Sequence, residues 1–115
     1  MEAEIYQLTQ EIRALIEKDP IYLEFLEASN ELENSDDVKV LSYRKDRASF
    51  EYEDTFKIFG KNAAETLMKS KELSEAIYNL NQNPIVKRYN IALRDYNALL
   101  KEIEDEILEG IYVKG

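Results

Sequence analysis

The chain has 115 residues, of which 44% are hydrophobic and 34% are charged, and its formal net charge is −9. It contains no Cys and no His, which excludes disulfides, zinc–thiolate sites and His-based catalysis by this chain, and the acidic balance disfavours general binding to nucleic acid. Three Gly and two Pro leave little turn chemistry for a sheet, so we predict a single all-α domain over residues 1–115.

Two amphipathic helices are predicted at the start of the chain. The first runs from about Glu2 to Lys18 and the second from about Pro20 to Glu33. The break between them follows from Asp19, a favoured N-cap residue, and from Pro20, whose fixed φ suits a first helical turn. Apolar residues recur at intervals of three and four along both segments, as expected for helices with one buried face.

A longer third helix is predicted from about Asp37 to Phe59. The polar loop of residues 34–37 supplies its N-cap, and Gly60 stands where a C-cap residue with positive φ is expected. Its predicted inner face advances in steps of three and four residues. That face consists of Val38, Leu41, Lys45, Ala48, Tyr52, Thr55 and Phe59.

Two further helices are predicted in the second half. The fourth starts at Asn62, with Glu65 at the spacing of a capping box, and its apolar stripe includes Leu67 and Met68. The fifth starts after Asn83, continues to about Glu109 and is closed by Gly110. Its stripe is the most regular in the chain and consists of Val86, Tyr89, Leu93, Tyr96, Leu100, Ile103 and Ile107.

The fourth and fifth helices are predicted to form a long antiparallel hairpin at the C-terminal end of a bundle of about five helices. Lys87 and Arg88 begin the fifth helix and acidic residues end it, which opposes the helix dipole. An antiparallel fourth helix offsets these charges because it places Glu72 and Glu75 near the basic pair. A kinked continuous helix is the alternative.

Nine apolar residues are candidates for core or interface. They come from the end of the third helix and from the stripe of the fifth, which is too wide for a simple two-stranded coiled coil and needs several helices to cover it. The sequence does not divide core from interface. The candidates are Tyr52, Phe56, Phe59, Tyr89, Leu93, Tyr96, Leu100, Ile103 and Ile107.

A basic cluster in the third helix consists of Arg44, Lys45 and Arg47, between the aromatic residues Tyr43 and Phe50. Basic residues interleaved with aromatic ones suit single-stranded RNA. Neighbouring acidic residues dilute the local positive field, so an ordinary helix face or a protein contact is the preferred interpretation. Direct RNA binding is kept as the alternative.

Clustered carboxylates near the end of the fifth helix raise the question of a metal. They lie at helical neighbour spacing, but a di-iron site in a helical bundle also needs a Glu-x-x-His motif, and the chain has no His. We therefore interpret them as a solvated face and predict no metal, no cofactor and no catalytic residue. A metal-dependent enzyme is the rival hypothesis. The residues are Glu102, Asp105, Glu106 and Glu109.

Several stretches together resemble the YlbF/YmcA family of small helical bacterial proteins. Glu51–Lys61 is similar to the family's Tyr-Glu-Asp stretch that leads into Phe-Gly-Lys before the next helix. Leu80–Val86 is similar to the approach to the family's final helix, and the resemblance covers nearly the whole chain. Outside these two stretches it is carried by Tyr22, Phe25, Leu32, Tyr89, Ala92 and Tyr96.

The resemblance implies an all-helical regulatory protein without catalytic activity. Its better-known members assemble with one another and with a third protein, and adjust mRNA processing by the membrane-bound endonuclease ribonuclease Y. Competence, sporulation and biofilm formation depend on them in some bacteria. Some members bind an iron–sulfur cluster through a Cys-containing C-terminal extension, which this chain lacks. Other branches have no settled role, so a member of unassigned role is a further alternative.

We therefore predict a regulator that acts by protein–protein association. The expected partners are a second copy of the chain, as a dimer, or related helical family members, with the ribonuclease Y machinery added by resemblance. The acidic N-terminus shows no signal peptide and no apolar run approaches bilayer length, so a cytoplasmic location without membrane insertion is expected.

Overall fold

Five α-helices follow one another with short connections. The computed structural model describes residues 2–114 and the side chains of residues 2–110, and no strand occurs in that range. The all-α fold with five helices is therefore confirmed. The helices are α1 (Glu2–Lys18), α2 (Pro20–Asn34), α3 (Asp36–Phe59), α4 (Ala64–Gln82) and α5 (Pro84–Lys114).

Polar side chains fix where three of the helices begin. Asp19 Oδ1 accepts a hydrogen bond from the backbone N–H two residues later at 2.8 Å, and Asn83 Oδ1 does the same at the start of α5, also at 2.8 Å. Ser35 Oγ accepts from the N–H of Val38 at 3.2 Å. Each oxygen satisfies an N–H group that has no partner within its helix, which is why the predicted breaks near these residues are confirmed.

The turn between α3 and α4 is closed differently from the prediction. Asn62 and Glu65 do not form a capping box, because α4 begins at Ala64 and its N-cap residue Ala63 makes no side-chain cap. Instead the Thr66 hydroxyl donates to the Gly60 carbonyl at 2.6 Å, and Thr66 is only 1% exposed. Gly60 has φ +84° and ψ 173°, a conformation that glycine adopts readily and other residues do not.

The predicted end of the fifth helix at Glu109 is wrong. The backbone of α5 remains helical through Gly110 and continues to Lys114. A glycine inside a helix costs up to about 1 kcal/mol relative to Ala but does not stop the helix unless another signal ends it. The predicted role of Gly110 as a terminator therefore fails, since Pro and polar capping residues do not follow it.

The chain divides into two compact units. Unit 1 consists of Met1–Asn30 and Arg88–Gly115, and unit 2 consists of Glu31–Lys87. Unit 1 therefore holds α1, most of α2 and most of α5. Unit 2 holds all of α3 and α4.

Unit 1 is built around an aromatic cluster between α2 and α5. The ring of Phe25 stacks on that of Tyr96 with centroids 4.7 Å apart, and it also meets Tyr89 at 5.8 Å. Tyr22 contacts Tyr96 at 5.6 Å. Residue numbers rise along α2 while those of their partners fall along α5, so the two segments are antiparallel. Aromatic pairs in such tilted and offset arrangements contribute about 0.5–1.5 kcal/mol each beyond their burial.

Unit 2 is an antiparallel hairpin of α3 and α4. The predicted inner face of α3 is confirmed up to its last position, since residues 38, 41, 45, 48, 52 and 55 are buried or half-buried. The Glu51 carboxylate of α3 and the Lys69 ammonium of α4 form an ion pair between the helices at 3.2 Å. Leu67 and Met68, by contrast, are exposed rather than part of the inner face of α4.

The predicted hairpin of the fourth and fifth helices stays a prediction. The structure describes the α3–α4 hairpin within unit 2, whereas α4 and most of α5 belong to different units. Arg88 at the start of unit 1's part of α5 bonds to Glu24 of α2, with Nε 2.7 Å from the carboxylate, and to Glu27 at 3.4 Å. These acids offset a charge for which the sequence predicts Glu72 and Glu75 as partners.

Candidate functional site

Little of the apolar side-chain surface is buried. Among the described side chains the buried hydrophobic ones are Ala28, Val38, Val86 and Ala92, which are all small or medium-sized. Nineteen large hydrophobic side chains are exposed, nine of them in unit 1 and ten in unit 2. Exposed large apolar residues that share a helix face mark sites where another molecule binds. The helix faces themselves are therefore the candidate site.

The predicted core or interface residues do not share one environment. Tyr89 and Tyr96 belong to the aromatic cluster of unit 1. The other four candidates on α5 are half-buried. In unit 2, Phe56 and Phe59 are exposed, at 43% and 55%. The half-buried candidates are Tyr52, Leu93, Leu100, Ile103 and Ile107.

A shallow groove of about 340 Å³ lies on α3. It is lined by Tyr52, Glu53, Phe56 and Lys57, and its apolar walls come from the two aromatic rings, whose centroids are 6.2 Å apart. Phe59 lies one turn beyond Phe56 on the same helix. The three aromatic candidates of α3 therefore occupy one border between the inner face and solvent.

A second stripe runs along α3 on the side opposite the inner face, and we call it the outer stripe. Its members lie in steps of three or four residues, so they share a narrow arc of the helix surface. All six are exposed, and Phe50 and Ile58 are exposed by 65% and 74%. The outer stripe consists of Val40, Tyr43, Arg47, Phe50, Asp54 and Ile58.

Sequence reasoning missed the outer stripe as a unit. It found Tyr43, Arg47 and Phe50 only as parts of a basic and aromatic cluster, and it did not single out Ile58. The signal was available, because a helix with a second set of apolar residues at helical spacing on its polar side exposes them whenever the first set is packed.

The basic cluster is not a single exposed surface. Arg44 and Arg47 are exposed, but Lys45 lies on the half-buried inner face of α3. The Nε group of Arg47 donates to Glu51 Oε1 at 3.2 Å. Part of the positive charge that the RNA hypothesis requires is thus turned inward or paired, and RNA binding by this cluster stays an untested alternative.

A charge network crosses the inner side of the α3–α4 hairpin. Lys69 Nζ donates to Glu51 Oε2 at 3.2 Å and to Glu72 Oε2 at 3.3 Å. The hydrogen bonds from Lys69 and then Arg47 lower the pKa of Glu51, and the bonds to Glu51 and Glu72 raise the pKa of Lys69. Both shifts favour the charged forms, so the network joins the two helices as an ion pair rather than as an acid–base pair poised for catalysis.

Two other classes of site, metal sites and membrane spans, are not found in the described part of the chain. No three Asp or Glu side chains there are grouped so that they could hold a metal ion. None of the helices described combines the length and the apolar character that a bilayer crossing requires. The acidic residues near the end of α5 up to Glu109 are exposed, as a solvated face requires.

Nearly the whole chain matches a known family. The family model described as "Control of competence regulator ComK, YlbF/YmcA" matches residues 5–112. The chain belongs to this family. Its YlbF/YmcA membership assigns it to a group described by a regulatory role. No curated protein and no solved structure matched the chain in the corresponding comparisons.

Proposed function

We propose that this YlbF/YmcA protein is a non-catalytic regulator that acts by binding other polypeptides through its helix faces. The observation that carries the proposal is the contrast between four buried hydrophobic side chains and nineteen large exposed ones among the described residues. Burial of apolar surface stabilises an assembly by roughly 25 cal/mol per Å² before association costs. A folded chain with so much apolar surface in water gains from a protein partner.

The regulatory description of the family supports the same proposal, since it names control of a competence regulator. By resemblance we place the chain in the cytoplasm and assign it to complexes with itself or with related helical proteins. The process that such complexes adjust is the ribonuclease Y-dependent processing of mRNA. In this role the chain supplies contact surface, and the nuclease supplies the chemistry.

The proposal is tested in the native cell by comparing mRNA ends with and without the gene for this chain. We expect its loss to alter the same transcripts that depletion of ribonuclease Y alters, and we expect the native chain to restore them. Unchanged transcript ends would remove the link to mRNA processing. Turnover of a substrate by the purified chain would contradict the non-catalytic role.

Direct RNA binding predicts a different result. Binding through Arg44, Lys45 and Arg47 weakens steeply with salt, because each phosphate contact releases counterions. Charge reversal of the exposed Arg44 then abolishes binding. We expect the purified chain to show no such salt-dependent binding to single-stranded RNA.

A further inference from the structure

The residues of the outer stripe of α3 are ordered so that the stripe is complementary to an antiparallel copy of itself. The midpoint between Phe50 and Glu51 is a centre of symmetry along the stripe. Arg47 and Asp54 lie at equal distances on either side of it, and Tyr43 and Ile58 do the same farther out. An antiparallel copy of the same helix therefore brings a basic residue opposite an acidic one and an apolar residue opposite an apolar one. A parallel copy brings Arg opposite Arg and Asp opposite Asp.

We propose that the outer stripe is the contact of a two-fold symmetric dimer, in which α3 of one chain packs antiparallel on α3 of a second copy. Arg47 of each chain then faces Asp54 of the other, and the two Phe50 rings meet near the symmetry axis. A two-fold interface uses the same surface on both chains, so the charge pair forms twice. This inference rests on the proposed function, association through helix faces, and names the face and the partner.

The groups that would form the contact are accessible in the single chain. Tyr43 and Phe50 are 64% and 65% exposed. The Asp54 carboxylate has no hydrogen bond or ion pair within the part of the chain that the structure describes. Arg47 uses Nε for Glu51, while its side chain remains 67% exposed. An unpaired carboxylate and a mostly exposed guanidinium on one stripe are available to a second chain.

The α3–α4 hairpin is held together mainly by groups outside the outer stripe. Its packing depends on the inner face of α3, on the Glu51–Lys69 ion pair and on the Thr66 hydroxyl, and Arg47 is the member of the outer stripe that contacts this network, through Glu51. A contact presented by a rigid element loses little conformational entropy on binding. The large apolar residues then provide affinity, since aromatic residues dominate interface energies. The opposite charges beside them fix the register and the orientation of the two helices.

The apolar part of the contact is tested by Phe50→Asp, with Tyr78→Asp as its matched control. Tyr78 is an exposed aromatic residue of α4, at 63%, outside the outer stripe. We expect native mass spectrometry to show dimers for the native chain and for Tyr78→Asp, and at least about a tenfold weaker dimer for Phe50→Asp. Circular dichroism confirms that each variant keeps its helix content.

The antiparallel register is tested by charge reversal and mixing. In a dimer of Arg47→Asp, the new Asp side chain would lie opposite Asp54 of the other chain. In a dimer of Asp54→Arg, the new Arg side chain would lie opposite Arg47, so each variant alone should be monomeric. When the two are mixed, both contacts join Asp to Arg, and a heterodimer should form. Loss of the Arg47–Glu51 ion pair within one helix does not produce this recovery, so the mixture separates the interface from local stability.

Three results would overturn the inference. Dimers of Phe50→Asp as strong as those of the native chain would place the contact on another face, and the proposed association would stand. Two monomeric variants that do not combine on mixing would exclude the antiparallel register. A native chain that is monomeric at every concentration would remove self-association itself, and binding to other polypeptides would then be judged by the cellular experiment alone.

Discussion

The two units use their aromatic residues in opposite ways. In unit 1, Tyr22, Phe25, Tyr89 and Tyr96 contact one another and hold α2 to α5. In unit 2, Tyr43, Phe50 and Phe59 are exposed, the Tyr52–Phe56 ring pair lies within α3, and the hairpin is closed by a hydroxyl and an ion pair. The side chains that stabilise one unit are thus left over for contacts in the other.

The units also differ in charge. Unit 1 carries thirteen Asp or Glu against six Lys or Arg, whereas unit 2 carries eleven against nine. A strongly acidic unit repels a second copy of itself, while a nearly balanced one does not, so charge favours unit 2 for the proposed self-association. The two units expose almost equal numbers of large apolar side chains, nine and ten. If the proposed dimer forms, this small fold divides stability and binding between its two units.

The largest expected effect is a break of the aromatic cluster in unit 1. Tyr96→Asp places a carboxylate against Phe25 and Tyr22, and we expect a loss of at least about 3 kcal/mol in the free energy of unfolding, measured with urea. Tyr78→Asp, at an exposed aromatic position of unit 2, should lose less than about 0.5 kcal/mol. Equal losses in the two variants would end the distinction between the units.

The second effect concerns the closure of the unit 2 hairpin. Thr66→Val keeps the shape of the side chain but leaves the Gly60 carbonyl without its 2.6 Å bond, so we expect a loss of about 1–3 kcal/mol. Thr55→Val is the control, because the Thr55 hydroxyl donates to a carbonyl of its own helix, that of Glu51. Thermal unfolding measures both, and a Thr66→Val variant as stable as Thr55→Val would show that the turn does not depend on this bond.

Two glycines sharpen the comparison with opposite signs. Gly60→Ala in unit 2 forces a positive φ on a residue with a Cβ, at a cost of about 1–3 kcal/mol. Gly110→Ala in unit 1 should stabilise by about 0.5–1 kcal/mol, since a Cβ there meets no atom within 4 Å and the backbone is helical. Differential scanning calorimetry gives both signs. Destabilisation by Gly110→Ala would contradict the continuous α5.

The smallest effect is a pH dependence that arises in unit 2. Because Lys69 and Arg47 lower the pKa of Glu51, its contribution to stability is present above the ordinary glutamate pKa of about 4.3 and is lost as the pH falls through the lowered value. Glu51→Gln should therefore show a smaller drop in melting temperature on acidification than the native chain. Glu53→Gln, which removes an exposed carboxylate from the next position but one, should behave like the native chain.

The alkaline side has the opposite sign. Bonds to Glu51 and Glu72 raise the pKa of Lys69, so its contribution is complete below the ordinary lysine pKa of about 10.4 and is lost as the pH rises through the raised value. Lys69→Met should flatten the alkaline part of the stability curve. An unchanged curve would mean that the ion pair contributes nothing to the hairpin in solution.

The helices were predicted from the sequence more accurately than the contacts between them. Asp19 and Asn83 carry local capping signals, and the structure uses them as read. The start of α4 was predicted wrongly because the bond that closes this turn joins the Thr66 hydroxyl to the Gly60 carbonyl. The capping propensity of Asn62 gives no sign of that bond. A helix start could be predicted from the sequence where the capping side chain and the N–H group that it binds lie within one helical turn of each other.

The candidate site could be predicted from the sequence only in part, because it too depends on contacts between residues that lie far apart in the chain. Helical spacing identifies which residues share a face, so both stripes of α3 are present in the printed sequence. The packed inner stripe is predicted correctly up to Thr55, but whether another part of the chain also covers the outer stripe is not encoded in the sequence of α3. Tyr96 illustrates the limit, since its spacing allowed core or interface and only the ring of Phe25 at 4.7 Å places it within unit 1.

The most direct test of the account is the mass of the native chain in solution, measured by light scattering over a wide dilution series. If exposed helix faces are the working surface and a second copy covers one of them, the mass is twice the 13.5 kDa of one chain and falls toward it on dilution. A single 13.5 kDa species at every concentration would contradict the claim that a second copy of the chain covers one of these apolar faces.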